Sequence, residues 1–222
     1  MDDSLIQWLA ERLKKPLPGR AAQARFEPEL AYGRHFAPPQ AGTRRAAVVM
    51  LLCRKENHWQ LPLALRPATL SSHGGQIGLP GGVIERGETS AAAALRELQE
   101  ELGIDPARVK LIGQLSPLNI FVSGFLVEPW LACLDGPPLF TASPFEVAEI
   151  LEVPLAHLLD RRQMGRYHRQ ARGVRFTAPT LCFEDHCIWG ATAMMLGELM
   201  SLLEECRGSV SGANETLSWR RT

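Results

Sequence analysis

Apolar positions change their period along the chain, and the changes mark out its elements. Leu5, Ile6, Leu9 and Leu13 recur at helical spacing over residues 3–15, with Asp2 or Asp3 as a cap and Lys14 and Lys15 at the far end, which predicts a short amphipathic helix. Residues 16–43 hold five prolines among Ala, Gly and Arg without a period, and predict an extended connector. From Arg45 onward, short apolar runs bounded by turn residues predict strands over 46–53, 59–65, 109–115 and 125–134. Between the second and third lies a helix: Thr89 or Ser90 caps it, four alanines favour it, Leu95, Leu98 and Leu102 line one face, and Gly103 stops it. A short helix is predicted over 154–159, a solvated loop or hairpin over the basic stretch 161–175, and an apolar helix over 190–206 that packs on the sheet. A polar tail follows. Strands and helices mixed in this way predict an α/β (α+β) layered domain.

Composition narrows the class without naming a chemistry. At 45% apolar, 222 residues are enough for one well-packed domain, expected over 44–206, with appendages at 1–43 and 207–222. Lys plus Arg equals Asp plus Glu at 24 each, so no global field draws the chain to nucleic acid or an anionic membrane, and neither is expected as a partner. An anionic ligand must be held by local groups. The five cysteines include no CxxC pair and no zinc-like spacing, which predicts free thiols and a cytoplasmic setting. The apolar run 46–53 is far short of the roughly 20 residues that cross a bilayer.

The chemistry concentrates between Gly82 and Ile104. Glu97, Glu100 and Glu101 stand at i, i+3 and i+4, so their carboxylates share the helix face opposite the leucines. Like charges at that spacing repel by a few tenths of a kcal/mol per pair, and a hard cation turns that cost into binding. Oxygen ligands of this kind suit Mg²⁺ or Mn²⁺. A solvated acidic face is the plain alternative. Ahead of the helix, Leu79-Pro80-Gly81-Gly82 lets backbone approach a metal or phosphate closely.

These residues resemble the Nudix box, G-x5-E-x7-R-E-U-x-E-E-x-G-U with U aliphatic. Gly82, Glu88, Arg96, Glu97, Leu98, Glu100, Glu101, Gly103 and Ile104 occupy every fixed position. The resemblance implies a Nudix hydrolase fold, a mixed β-sheet sandwiched between α-helices with a loop-helix-loop box, and a pyrophosphatase acting on a small-molecule nucleotide. It implies that Glu97 and Glu101 are the main metal ligands, Glu100 a further ligand or base, and the Gly82 carbonyl a possible last member of the shell. Glu88 and Arg96 are implied to pair and hold loop against helix. Upstream, Arg66, Gly75, Pro80, Gly81 and Gly82 fall on a pattern resembling the coenzyme A pyrophosphatase branch; Ser71 stands where that pattern has a second arginine. Ser123-Gly124-Phe125 and Trp189-Gly190-Ala191-Thr192-Ala193 resemble later elements of the same branch. The implied substrate is coenzyme A or a derivative, with ADP-ribose, a dinucleotide cofactor or a nucleoside triphosphate as alternatives, and a non-catalytic binding module as the rival of another class.

Four residues outside the box are candidates. Glu146, in a segment like one that returns a carboxylate to Nudix sites, is the candidate general base or extra ligand, against a reading as a surface glutamate before a strand. Arg66, His73 and Gln76 are candidate substrate contacts, with structural hydrogen bonding the alternative for the last two.

Overall fold

One strand buried on both faces organises the molecule. The computed structural model describes residues 4–211 apart from 57, 71, 72 and 172, so Ser71, the Asp2 and Asp3 cap and the end of the polar tail lie outside the described residues. The order is α1 (Ser4–Arg12), α2 (Arg20–Gln23), β1 (Arg44–Lys55), β2 (His58–Leu65), β3 (Ile77–Gly78), β4 (Gly81–Val83) and α3 (Ser90–Leu102). Then come β5 (Val109–Gln114), β6 (Leu118–Ile120), β7 (Phe125–Leu134), β8 (Glu149–Pro154) and α4 (Leu155–Leu158). The chain closes with β9 (Met164–Ala171), β10 (Val174–Phe183), β11 (His186–Trp189) and α5 (Gly190–Ser211).

Side chains alternate along β1 between two cores. Ala46, Met50 and Leu52 face α5, joining Leu196, Leu199 and Leu203. Ala47, Val49, Leu51 and Cys53 face α3, joining Ala94, Leu98 and Leu102. This is why residues 46–53 are continuously apolar and do not alternate. The mixed sheet runs β3-β2-β1-β7-β5, with β1 parallel to β7 and antiparallel to β2 and β4; β8 extends the pairing of β2. It lies between α3 and α5, the sandwich that was expected.

Two expectations are corrected. The connector is not extended: it forms α2 and 3-10 turns at Ala24–Phe26, Glu29–Ala31 and Arg34–Phe36, because Ala22, Phe26 and Ala31 have apolar surface to bury. Leu5, Leu9 and Phe26 share a core cluster with α5. The last helix runs on to Ser211, past Cys206 and the expected start of the tail. The basic stretch, expected as a loop or hairpin, is a hairpin of β9 and β10, in which Arg166 pairs with Glu29 at 3.1 Å; beside it Arg162 pairs with Asp160 at 2.9 Å. Among the described residues, no helix is long and apolar enough to cross a membrane.

Candidate active site

The glutamate helix begins and ends as its sequence dictates. Thr89 Oγ1 accepts the Ala92 N–H at 3.2 Å, and Gly103, at φ 70°, takes the left-handed conformation that ends the helix. With Leu98 and Leu102 fixed on the sheet, the three carboxylates point to the other side, yet they meet three environments. The Glu100 side chain is 54% exposed, Glu97 16% and Glu101 only 4%. Glycines create the difference. β4 runs antiparallel to β1, pairing Gly82 with Ala47. A Cβ at Gly82 would overlap the Glu97 carboxylate, and one at Gly81 would overlap the Ala47 carbonyl, so only glycines allow this loop to lie between helix and sheet. The Gly81 N–H then donates to Glu101 Oε2 at 3.3 Å.

Burial leaves charge poorly compensated at this point. Desolvation pushes the Glu101 carboxyl up to about 7; Arg66 opposes this, Glu97 adds to it, the Gly81 N–H opposes it and Glu146 adds to it. Glu97 is also raised, first by burial, against the pull of Arg96. Two desolvated carboxylates one turn apart, with oxygen donors only, fit a hard dication. Among the described residues, no three acidic, His or Cys side chains converge on one point as a preformed cage. Arginines contact the carboxylates of this face: Arg66 meets Glu101, and Arg96 meets Glu97 and Glu100.

Arg96 is the organising cation. Its Nε and Nη2 reach Glu88 Oε1 and Oε2 at 3.0 and 3.2 Å, Nη1 reaches Glu97 at 2.8 Å and Glu100 at 3.0 Å, and Nη2 also donates to the Val83 carbonyl at 3.1 Å. Glu88 is held below the usual carboxylate range by the Arg96 hydrogen bonds and by the Glu85 N–H. Loop and helix are thus joined by one planar fork, a geometry that lysine does not reproduce. Arg96→Lys is expected to lower kcat/KM for hydrolysis by about 10- to 100-fold, as for other groups that orient ligands. Activity within a factor of two of the parent in a steady-state assay would refute that role.

The candidates outside the box divide. Arg66, directly after β2, places Nη1 3.5 Å from Glu101 Oε1, while its Nε is buried without a hydrogen-bond partner among the described residues. Glu146 is brought to the helix by its own segment. The Thr141 and Ser143 N–H groups donate to the Leu102 and Glu101 carbonyls, both at 2.9 Å, which are carbonyls that a helix end leaves free. On the other side the Ala148 N–H donates to the Leu65 carbonyl at 2.8 Å. Glu146 is half-buried, and its charge adds to the rise of the Glu97 and Glu101 carboxyls. His73, at φ 58°, and Gln76 bond to each other, Nδ1 to Oε1 at 3.0 Å, in a loop closed by the Arg66 N–H on the Gln76 carbonyl. No described contact joins either side chain to the carboxylates. The sequence did not disclose the backbone parts, namely the Gly81 N–H, the Val83 carbonyl and the 141–143 amides. Side-chain patterns carry no signal for them.

Fold and site together define a hydrolase of the phosphoanhydride-cutting type, and comparison with known proteins makes the class definite. A NUDIX domain family model matches residues 43–171, and the chain belongs to the Nudix family. It is 37% identical over 158 residues to an uncharacterized Nudix hydrolase NudL of Photorhabdus laumondii, covering 70% of this chain and 83% of that protein. A NudL of Cronobacter sakazakii is 38% identical over 160 residues, covering 70% and 81%. Among solved structures, a C. elegans Ap4A hydrolase binary complex aligns at TM-score 0.48 and 17% identity, over 76% of this chain and 98% of that one. The assignment rests on the sequence matches. The chain is therefore a pyrophosphatase of nucleoside diphosphate-linked substrates, in a family that generally requires divalent cations.

Proposed function

We propose that the chain hydrolyses coenzyme A or its derivatives, with Mg²⁺ or Mn²⁺, to 3',5'-ADP and 4'-phosphopantetheine. The observation that carries the metal part is the buried Glu101 carboxylate, pushed up to about 7 beside Glu97 and left with long contacts to its two donors. Glu97, Glu101 and Glu100, with the Gly82 carbonyl, hold the cation; when bound, it neutralises phosphoryl charge and acidifies a water. Arg66, whose Nε has no partner among the described residues, binds a phosphate oxygen. Glu146 takes the proton of the attacking water, and the Arg96–Glu88 fork fixes the helix face while it does so. His73 and Gln76, bonded to each other, contact the substrate beside Arg66 in this reading. The coenzyme A part rests on the resemblance of residues 65–82 to that branch, with Ser71 in place of an arginine.

A panel of coenzyme A, dephospho-coenzyme A, ADP-ribose, NADH and nucleoside triphosphates, scored by kcat/KM with Mg²⁺, tests the substrate. Coenzyme A is expected to rank first. If ADP-ribose equals or exceeds it, the substrate is another nucleoside diphosphate derivative; turnover of none would overturn the coenzyme A reading.

A further inference from the structure

Two cysteines that hydrolysis does not use stand opposite one another in the second sheet. Cys182 on β10 and Cys187 on β11 are Cα partners in antiparallel register. The strands are joined by the two residues Glu184 and Asp185, the first at φ 53°. In such a hairpin the closing pair, Phe183 and His186, exchanges the backbone hydrogen bonds, and the next pair is the non-hydrogen-bonded kind. That pair places Cα atoms about 4.5 Å apart with side chains on one face, within the range a disulfide spans. The thiols are free, half-buried and so within reach of a small reagent, and their sulfurs are 4.0 Å apart. Rotation about χ1 is enough to bring them to bonding distance without moving the strands. By contrast, Cys53 and Cys206 are buried.

We infer that Cys182 and Cys187 form a redox-modifiable pair that closes to a cross-strand disulfide by exchange with an oxidised low-molecular-weight thiol of the glutathione disulfide class. The Cys182 thiolate attacks one sulfur of glutathione disulfide and expels a glutathione thiolate. The Cys187 thiolate then attacks the Cys182 sulfur of the mixed disulfide and expels the second. Two protein thiols are oxidised, one glutathione disulfide is reduced to two glutathiones, and the two thiol protons leave on them. Burial and the neighbouring Cys182 push the Cys187 thiol above its ordinary range. This slows closure and leaves the reduced form without a stabilised thiolate, which favours the disulfide once formed. The hairpin leads into α5, where Thr192 Oγ1 donates to the Ile77 carbonyl at 3.1 Å, so closure stiffens an element that supports the loop before the box.

The test is equilibration of the full chain in glutathione redox buffers, acid quenching, alkylation in denaturant, intact mass and peptide mapping. The expected product has lost two hydrogen atoms, maps to Cys182–Cys187, and melts on the order of 5 °C higher. Cys187→Ser is expected to hold one glutathione on Cys182 and to show no such rise. Stable glutathione adducts in the parent protein, a disulfide mapped to other cysteines, or full alkylation under oxidising buffer would each overturn the inference.

Discussion

Replacing Glu101 with glutamine is expected to lower hydrolysis by about a thousandfold or more, and at the same time to stabilise the metal-free protein at alkaline pH. Both effects come from the same desolvation. The folded carboxyl is raised from 4.5 to about 7, so folding favours its protonated form. Below pH 4.5 both folded and unfolded chains are protonated and the group costs nothing. As pH rises from 4.5 to 7 the unfolded chain ionises first and stability falls. Above 7 the folded metal-free chain bears the whole penalty, about 3 kcal/mol. Glutamine removes it, which raises Tm in EDTA at pH 8 by on the order of 5–10 °C and leaves Tm at pH 4 nearly unchanged. Melting curves at the two pH values, with initial rates in Mg²⁺, measure both arms. A lower Tm at pH 8 would contradict the burial argument, and near-parental turnover would contradict the metal assignment.

The second large effect concerns stability away from the site. Glu198 on α5 is wholly buried, and its carboxylate accepts four hydrogen bonds: Gly19 N–H at 2.9 Å, Gln23 Nε2 at 3.2 Å, Ser116 N–H at 3.1 Å and Ser116 Oγ at 2.6 Å. It ties the N-terminal segment and the β5–β6 connection to the core helix. Glu198→Ala leaves these donors unpaired next to a cavity and is expected to cost about 4 kcal/mol in urea unfolding. Glu198→Gln keeps an acceptor for part of the set and is expected to cost roughly half. Because two of the four donors belong to residues 19–23, limited proteolysis of the alanine variant should begin in the N-terminal segment. An alanine variant within 1 kcal/mol of the parent, or first cut elsewhere, would show that the carboxylate is not the tie.

Much of this could be read in advance where one side-chain period sufficed. The 46–53 strand, the helix Ser90–Leu102 with its stop at Gly103, and the shared face of Glu97, Glu100 and Glu101 all follow from local spacing. What spacing could not show is which of the three carboxylates a distant segment covers. The Glu101 carboxylate is buried where the Gly81 N–H and Arg66 meet it, and that depends on strand pairing. Short strands such as β3, β4 and β6, of two or three residues, are too brief to show alternation. Proline and glycine in the connector suggest an open chain, whereas Phe26 and Gln23 anchor it from within. Glu198 was invisible for a related reason: a single glutamate in an apolar helix has no pattern, and its partners lie 82 to 179 positions away.

The doubly buried strand has a consequence for how the chain finds its structure. Ala46, Val48, Met50 and Leu52 on one side of β1 are nearly as apolar as Ala47, Val49, Leu51 and Cys53 on the other. Sliding β1 by one residue against β7 exchanges the two sides and exposes nothing polar, so hydrophobicity gives little guard against the slip. Alignment is chosen instead by specific contacts: Arg45 Nε on Glu128 at 2.7 Å sets β1 against β7, while the Val49 N–H on the Pro80 carbonyl at 2.9 Å and the glycines paired with Ala47 and Val48 set β1 against β4 and its loop. Most of these belong to the loop that enters the glutamate helix. The loop thus acts as a ruler for the central strand, and a chain that misaligns its sheet has already misplaced its carboxylates.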